Sequence, residues 1–393
     1  MTGVAGDPQD LLDARPRVRP DLLISAEMGR GPNRIHLVKI RGGRVFEVSA
    51  KESFLIRHLD GHLTVADVSD LYAARFGRRL GPAQWSQLLW LLHQRDLLAA
   101  DGQTAAHPPP RPGLHRLAGA VRWAFTAPAG LAATVALLTL YTIVAVQSPH
   151  LWHAARPALQ DWRSIAGVVA VCYVGAMLHE LAHGVTATHF GCRVVRINLF
   201  RLTCQVEDYQ YLPARAHRVA IAAAGGVLNA LVTAPFVLAW SLTAPASAGH
   251  RFAAAVALAG TAQSLVNYVP VAPLDGYKML SHQLGMIALG PESRRYLWSR
   301  PHRWLTGRGA AYPRQARIAL GLYGTAWHAA AAAAGTTVAV AGGRLLEPAL
   351  GRAGYAASCA AVVLTVTLWL TSQPGLRPAR SRTHQPVTRE ARR

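Results

Sequence analysis

Apolar residues are spaced in two ways along this chain of 393 residues. Between residues 21 and 100 they recur at the short periods of a small soluble unit. Between 118 and 372 they merge into long runs. In the first region RIHLVKIR and RVFEVS flank Gly42-Gly43, which predicts a two-residue hairpin turn with positive φ at both glycines. The segment LLISAEM predicts a short strand before them. Ser49-Ala50-Lys51-Glu52 reads as a capping box that opens a helix directly after the second hairpin strand. Thr64 caps a second helix that runs to about Phe76 and stops at Gly77. Trp85, Leu88, Leu89 and Leu92 lie at i, i+3, i+4 and i+7, the stripe of a third helix. Together these elements predict a small α+β, winged-helix-like unit.

The second region holds apolar stretches near 123–146, 165–190, 218–244, 251–272, 316–341 and 354–372. Each meets the roughly 20-residue length needed to cross hydrocarbon. The expected fold is therefore a mainly α polytopic membrane protein of about six transmembrane helices, preceded by the soluble unit. Residues 1–20 read as a loose N-terminus and 21–100 as the soluble domain. DGQTAAHPPPRPGLHRL, 101–117, carries four prolines and reads as a stiff linker. Residues 118–372 form the transmembrane domain, and 373–393 a basic, disordered tail.

Composition agrees with that picture. The chain is 51% hydrophobic and only 16% charged, well below the roughly 25% charged of a soluble domain. Its 41 Lys and Arg against 20 Asp and Glu give a net charge of +21. The basic residues concentrate in segments 191–217 and 273–315 and in the tail, which six spans place on one side together with the soluble domain. The positive-inside rule makes that side cytoplasmic, with a multi-pass chain in the cytoplasmic membrane and both termini inside. Topology thus accounts for the charge, and no nucleic-acid partner is expected. MTGVAGDPQDLLDARPR carries no apolar signal stretch. Cys172, Cys192, Cys204 and Cys359 are scattered, which excludes a disulfide scaffold and a thiolate zinc cluster.

The second apolar run contains His179-Glu180-Leu181-Ala182-His183, an HExxH motif. Two histidines one helical turn apart share a face and can reach one metal ion. Glu180 beside them is placed to take a proton from water activated there. A glutamate without a partner at membrane depth is costly, roughly 2.5–3.5 kcal/mol on insertion scales for the comparable aspartate; a metal held by the two histidines supplies a partner. The third ligand is less local. His189 stands ten residues after His179, a rise of about 15 Å in an unbroken helix, so it cannot share the ion. Glu207 and Asp208 fall in a polar loop. Asp275 closes the segment NYVPVAPLDGYKML, in which Asn267, Pro270, Leu274, Asp275 and Gly276 form N-x-x-P-x-x-x-L-D-G.

HExxH paired with this LDG segment resembles the site-2 protease family of intramembrane zinc metalloproteases, over roughly 165–280. The resemblance implies a zinc ion held by His179, His183 and Asp275, with Glu180 as general base. It implies substrate-positioning roles for Asn267, Asn229 and Gly225, the last two within Ala224-Gly225-Gly226-Val227-Leu228-Asn229. That segment is similar to the family's Ala-Gly-Pro-x-x-Asn, with Gly226 in place of proline. A β-hairpin is implied within CRVVRINLFRLTCQVEDYQ. The unit 21–100 in turn resembles the PqqD-type domains that bind leader peptides in ribosomal peptide biosynthesis. The bound peptide is expected on Arg44, Val45, Phe46, Glu47 and Val48, with Trp85 and Leu88 of the third helix beside it.

These readings combine into an intramembrane zinc endopeptidase that cleaves a ribosomally made precursor or membrane-associated peptide. The alternatives are a regulatory protease releasing a membrane-anchored regulator, or a non-catalytic export or immunity protein. A membrane histidine-box oxidase needs several His clusters, and only one pair here has helical spacing.

Overall fold

The computed structural model describes residues 8–99, 112–306 and 311–372. The basic tail 373–393 and the linker residues up to 111 lie outside the described residues.

The N-terminal domain comprises α1 (Pro8–Asp13), β1 (Leu22–Ile24), β2 (Met28–Arg30), β3 (Asn33–Ile40), β4 (Val45–Ser49), α2 (Ala50–His58), α3 (Val65–Phe76) and α4 (Pro82–Gln94). All strand pairs are antiparallel and β3 is the spine. It pairs with β1 through Leu22↔Ile40, with β2 through Met28↔Ile35, and with β4 from Ile35↔Ser49 to Lys39↔Val45. Because β4 overlaps both other registers, β1 and β2 share the opposite edge of β3. The hairpin loop is longer than its sequence predicts. Gly43 N–H donates to Ile40 O at 2.8 Å, and only Gly42 has positive φ, 76°. This is a β-turn over residues 40–43 whose third position requires glycine.

Local signals start and stop the helices as expected. Ser49 and Glu52 exchange both capping-box bonds, Thr64 and Asp67 do the same, and Gly77 ends α3 in the left-handed region. Trp85 lies at the centre of the core with Val38, Ile56 and Val68, and its Nε1 donates to Ser69 Oγ at 2.6 Å. Residues 8–20 are not loose. Leu11, Leu12 and Val18 pack on this core, and Val18 N–H donates to Leu59 O.

The rest of the chain is mainly helical. It begins with α5 (Pro112–Ala120), formed partly by residues expected in the linker, and continues through α6 (Ala127–Val146), α7 (Ser148–Ala158) and α8 (Trp162–His189). The hairpin β5 (Arg193–Asn198) and β6 (Thr203–Glu207) follows, where the resemblance implied one, and then a 3₁₀ turn at Tyr209–Tyr211. Next come α9 (Arg215–Leu242), α10 (Ala248–Asn267), α11 (Asp275–Leu284), α12 (Leu289–Thr306), α13 (Arg314–Leu350) and α14 (Ala353–Ser372).

Among the described residues four helices, α6, α8, α9 and α13, are long and apolar enough to cross a membrane. The other two expected spans fall on α10 and α14. The apolar stretch of α10 is largely alanine, and Ala253–Ala257 are buried among α7, α8 and α9. In α14 the described apolar stretch runs from Ala353 to Thr365. Pro270 and Pro273 separate α10 from α11, as expected of residues without a backbone donor.

The N-terminal domain is docked on this helical body. Gly29 of β2 donates to Gly285 O at 2.8 Å and accepts from Ile287 N–H at 2.9 Å, just past the end of α11. Lys39 of β3 is 2.6 Å from Asp208 Oδ1 and 3.3 Å from Glu207 Oε1.

Candidate metal centre

The HExxH segment lies on α8, which is unbroken from Trp162 to His189. His179 and His183 therefore point the same way, toward α9 and the first residue of α11. His179 Nε2 and His183 Nε2 are each 3.0 Å from Asp275 Oδ2, and 3.1 Å from one another. Their side chains are only 9%, 12% and 8% exposed for His179, His183 and Asp275. These three are the residues that could hold a metal ion, among the described residues.

The donor set fits one. Three Lewis bases crowd around a single point, an arrangement that needs a cation or protons to be stable. Two imidazole nitrogens and a carboxylate oxygen at this mutual spacing are a donor set suited to zinc, whose bonds to such atoms are roughly 2.0–2.2 Å. His183 Nδ1 lies 2.7 Å from Ile221 O. It must therefore donate there, so its Nε2 presents a lone pair to the cluster. His179 Nδ1 faces the Asn229 side-chain amide at 3.1 Å, while Asn229 Oδ1 is buried without a partner. Reversing that amide lets Oδ1 accept from Nδ1–H, which satisfies the orphaned oxygen and frees the Nε2 lone pair for a metal.

Two glycines make the close approach possible. A Cβ at Gly225 would lie 2.4 Å from His179 Cε1 and Nε2; the small residue thus admits the imidazole against α9. A Cβ at Gly276 would lie 2.2 Å from the backbone oxygen of Tyr268, so the residue after Asp275 must be glycine for α11 to start here. Gly226, at the family's proline position, faces the ring of Tyr268 instead, and α9 continues through it unbroken.

Around Asp275 the electrostatics favour the carboxylate. Burial raises its pKa, but the neighbouring His179, His183 and Lys278 outweigh that and hold it well below the ordinary carboxylate range. Lys278, one turn along α11, binds the outer oxygen Oδ1 at 2.8 Å and leaves Oδ2 to face the histidines. Burial, with Arg218 and Lys278 close by, pushes His282 down to about 4; it is a neutral ring, edge-on to Tyr209 with centroids 5.1 Å apart. Glu180 is half-buried on α8, next to His179 in sequence.

Not every residue singled out by sequence lies at this centre. Asn229 does, but as the support of His179 and not on an open surface, being 3% exposed. Asn267 donates to Gln263 O at 2.9 Å within its own helix. His189 stacks on Phe125 at the end of α8, and Asp208 is engaged by Lys39.

On the N-terminal domain Arg44, just before β4, and Val45 and Glu47 within it are exposed. Phe46 is half-buried under the Arg95 guanidinium at 4.7 Å, and Val48 is in the core. Trp85 and Leu88 are also buried in that core and do not present a surface; the exposed tryptophan of α4 is Trp90. The helical stripe read as a binding face is the face that packs inward. Lys278 and the Lys39–Asp208 pair were not picked out from sequence. A lysine three residues after Asp275 was the one available signal, whereas Lys39 and Asp208 are brought together only by domain docking.

Comparison of the chain with protein-family models, with curated proteins and with solved structures finds no match.

Proposed function

We propose that this chain is a membrane-embedded zinc endopeptidase that cleaves a ribosomally made precursor peptide. The observation that carries the reading is the convergence of His179 Nε2, His183 Nε2 and Asp275 Oδ2 beside the half-buried Glu180. His179 and His183 would hold the ion from one face of α8, and Asp275 from the start of α11. Bound there, zinc would supply Lewis acidity that brings the pKa of a coordinated water down to roughly 7. Glu180, adjacent to one ligand and not itself a ligand, accepts the proton of the attacking water on its carboxylate and returns it to the leaving amine. Asn229, Ile221 O and Lys278 keep the three ligand side chains in orientation. A helical substrate has to unwind locally, because its carbonyls are otherwise occupied in the helix.

Substrate capture is assigned to β4. This strand pairs only with β3 among the described residues, so its outer edge carries backbone donors and acceptors able to receive an extended peptide as an added strand. The four apolar helices, with exposed Leu138 on α6, Val169 on α8, Leu238 on α9 and Leu322 on α13, support the membrane placement.

The test is Glu180→Gln in the full chain, reconstituted in lipid. Zinc content is expected to match the wild type while cleavage of a precursor peptide falls by at least about 10²–10⁴-fold, the usual contribution of a general base. His183→Ala is expected to lose the metal. Undiminished cleavage by Glu180→Gln, or a wild type that holds no zinc, overturns the proposal.

A further inference from the structure

The Pro-rich stretch before α5 invites the picture of a capture domain on a leash. The docking contacts indicate something tighter. Helix α11 supplies Asp275 at its first residue, and its other end is held by the N-terminal domain, through the two backbone bonds between Gly29 and the Gly285–Ile287 segment. Beside them Gly31 of the β2–β3 turn lies against the Glu292 carboxylate of α12; a Cβ there would be 2.6 Å from Oε2. A second connection reaches the middle of α11. Lys39 is 8% exposed and Asp208 7%, so their ion pair is withdrawn from water. Asp208 leads directly into Tyr209, whose ring packs on His282 of α11. The turn that carries both is pinned from below by Arg218 of α9, which donates to Gln210 O and Leu212 O.

We infer that the N-terminal domain is part of the scaffold of the metal centre: Lys39 and Gly29 position α11, and through it Asp275, against the two histidines of α8. Lys39 is a positioning residue, acting through Asp208, Tyr209 and α11. The sides of α11 rest on α9 and, through Tyr277 and Leu280, on the cluster around Leu289 and Leu320, so without the docked domain the helix keeps these walls and loses the hold on its C-terminal end. Lys39 also pairs in register with Val45 of β4, so the edge assigned to the peptide and the contact that steadies the metal ligand belong to adjacent strands. The inference rests on the metal-centre reading, not on the identity of the substrate.

The experiment uses the full chain in nanodiscs with two variants, Lys39→Met and Gly29→Pro, and Lys39→Arg as the conservative control. Docking is read as amide-exchange protection of residues 285–287. The metal site is read as zinc affinity by chelator competition and as the visible spectrum of the cobalt(II)-loaded protein, with Asp275→Ala as reference. Loss of protection is expected together with about tenfold weaker zinc binding, the lower end of what losing support behind a ligand produces. The cobalt spectrum should shift toward that of Asp275→Ala, and Lys39→Arg should restore both readouts. Unaltered zinc affinity and cobalt spectrum in a variant that has lost protection overturns the inference, and so does full protection in both variants. A wild type that binds zinc yet cleaves no peptide removes the protease reading alone; a wild type without zinc removes both.

Discussion

Replacing Gly225 by alanine adds one methyl group, and the structure places it inside the imidazole of His179. The new Cβ would be 2.4 Å from both Cε1 and Nε2 and 2.6 Å from Cδ2, about an ångström short of van der Waals contact between carbon atoms, roughly 3.5 Å. The ring cannot swing aside freely. Its Nδ1 is bound by Asn229, on the same helix as Gly225 and one turn farther along, and breaking that bond costs about 1 kcal/mol and strands a buried amide. The alternative is for α9 to back away from α8, which carries Asn229 and the Ile221 carbonyl away from both histidines. Either route moves a ligand atom by an amount on the order of 1 Å, several times the roughly 0.2 Å tolerance of a metal–ligand distance. We therefore expect Gly225→Ala to weaken zinc binding at least about a hundredfold, the upper range for disturbances just behind a ligand. Chelator competition with purified protein in nanodiscs measures this. Gly130→Ala on α6 is the matched control, since a Cβ there meets nothing within 4 Å, and it should bind zinc like the wild type. Wild-type zinc affinity in Gly225→Ala would refute the reasoning, because the packing of α9 on His179 would then not define the site.

Two further outcomes follow from the same geometry. Asn229→Ala should keep the helical fold, as judged by circular dichroism, and bind zinc about 10- to 100-fold more weakly, because the orienting partner of His179 is gone. Trp85→Ala should destabilise the N-terminal domain by about 3–5 kcal/mol, the usual cost of truncating a buried aromatic residue, whereas Trp90→Ala should stay within about 0.5 kcal/mol; amide exchange within residues 33–92 of the full chain distinguishes them.

Much of this protein was legible in its sequence, and the legible parts are those whose physics is local. Capping boxes at Ser49 and Thr64, the left-handed stop at Gly77 and the helical stripe of α4 depend on neighbours within a few residues. The same is true of His179 and His183, one turn apart on one helix. Long apolar runs announced the helices of α6, α8, α9 and α13, because burying a backbone in hydrocarbon depends on length and composition alone. What the sequence could not decide was how those pieces face one another. A stripe of Trp85, Leu88 and Leu92 reads alike whether it meets a peptide or its own core, and only the sheet packed against it settles the matter. Asp275 meets His179 across 96 residues of chain, and its motif could propose it as a ligand but not bring it there. That took Gly276 against the Tyr268 carbonyl, Gly225 against the imidazole and α9 between the two helices. Asn229, read from the sequence pattern as substrate-positioning, supports His179 because α9 turns it toward that ring. Lys39 and Asp208 are unremarkable surface residues until docking takes both out of water, where an unpaired charge is too costly to leave and each holds the other in place.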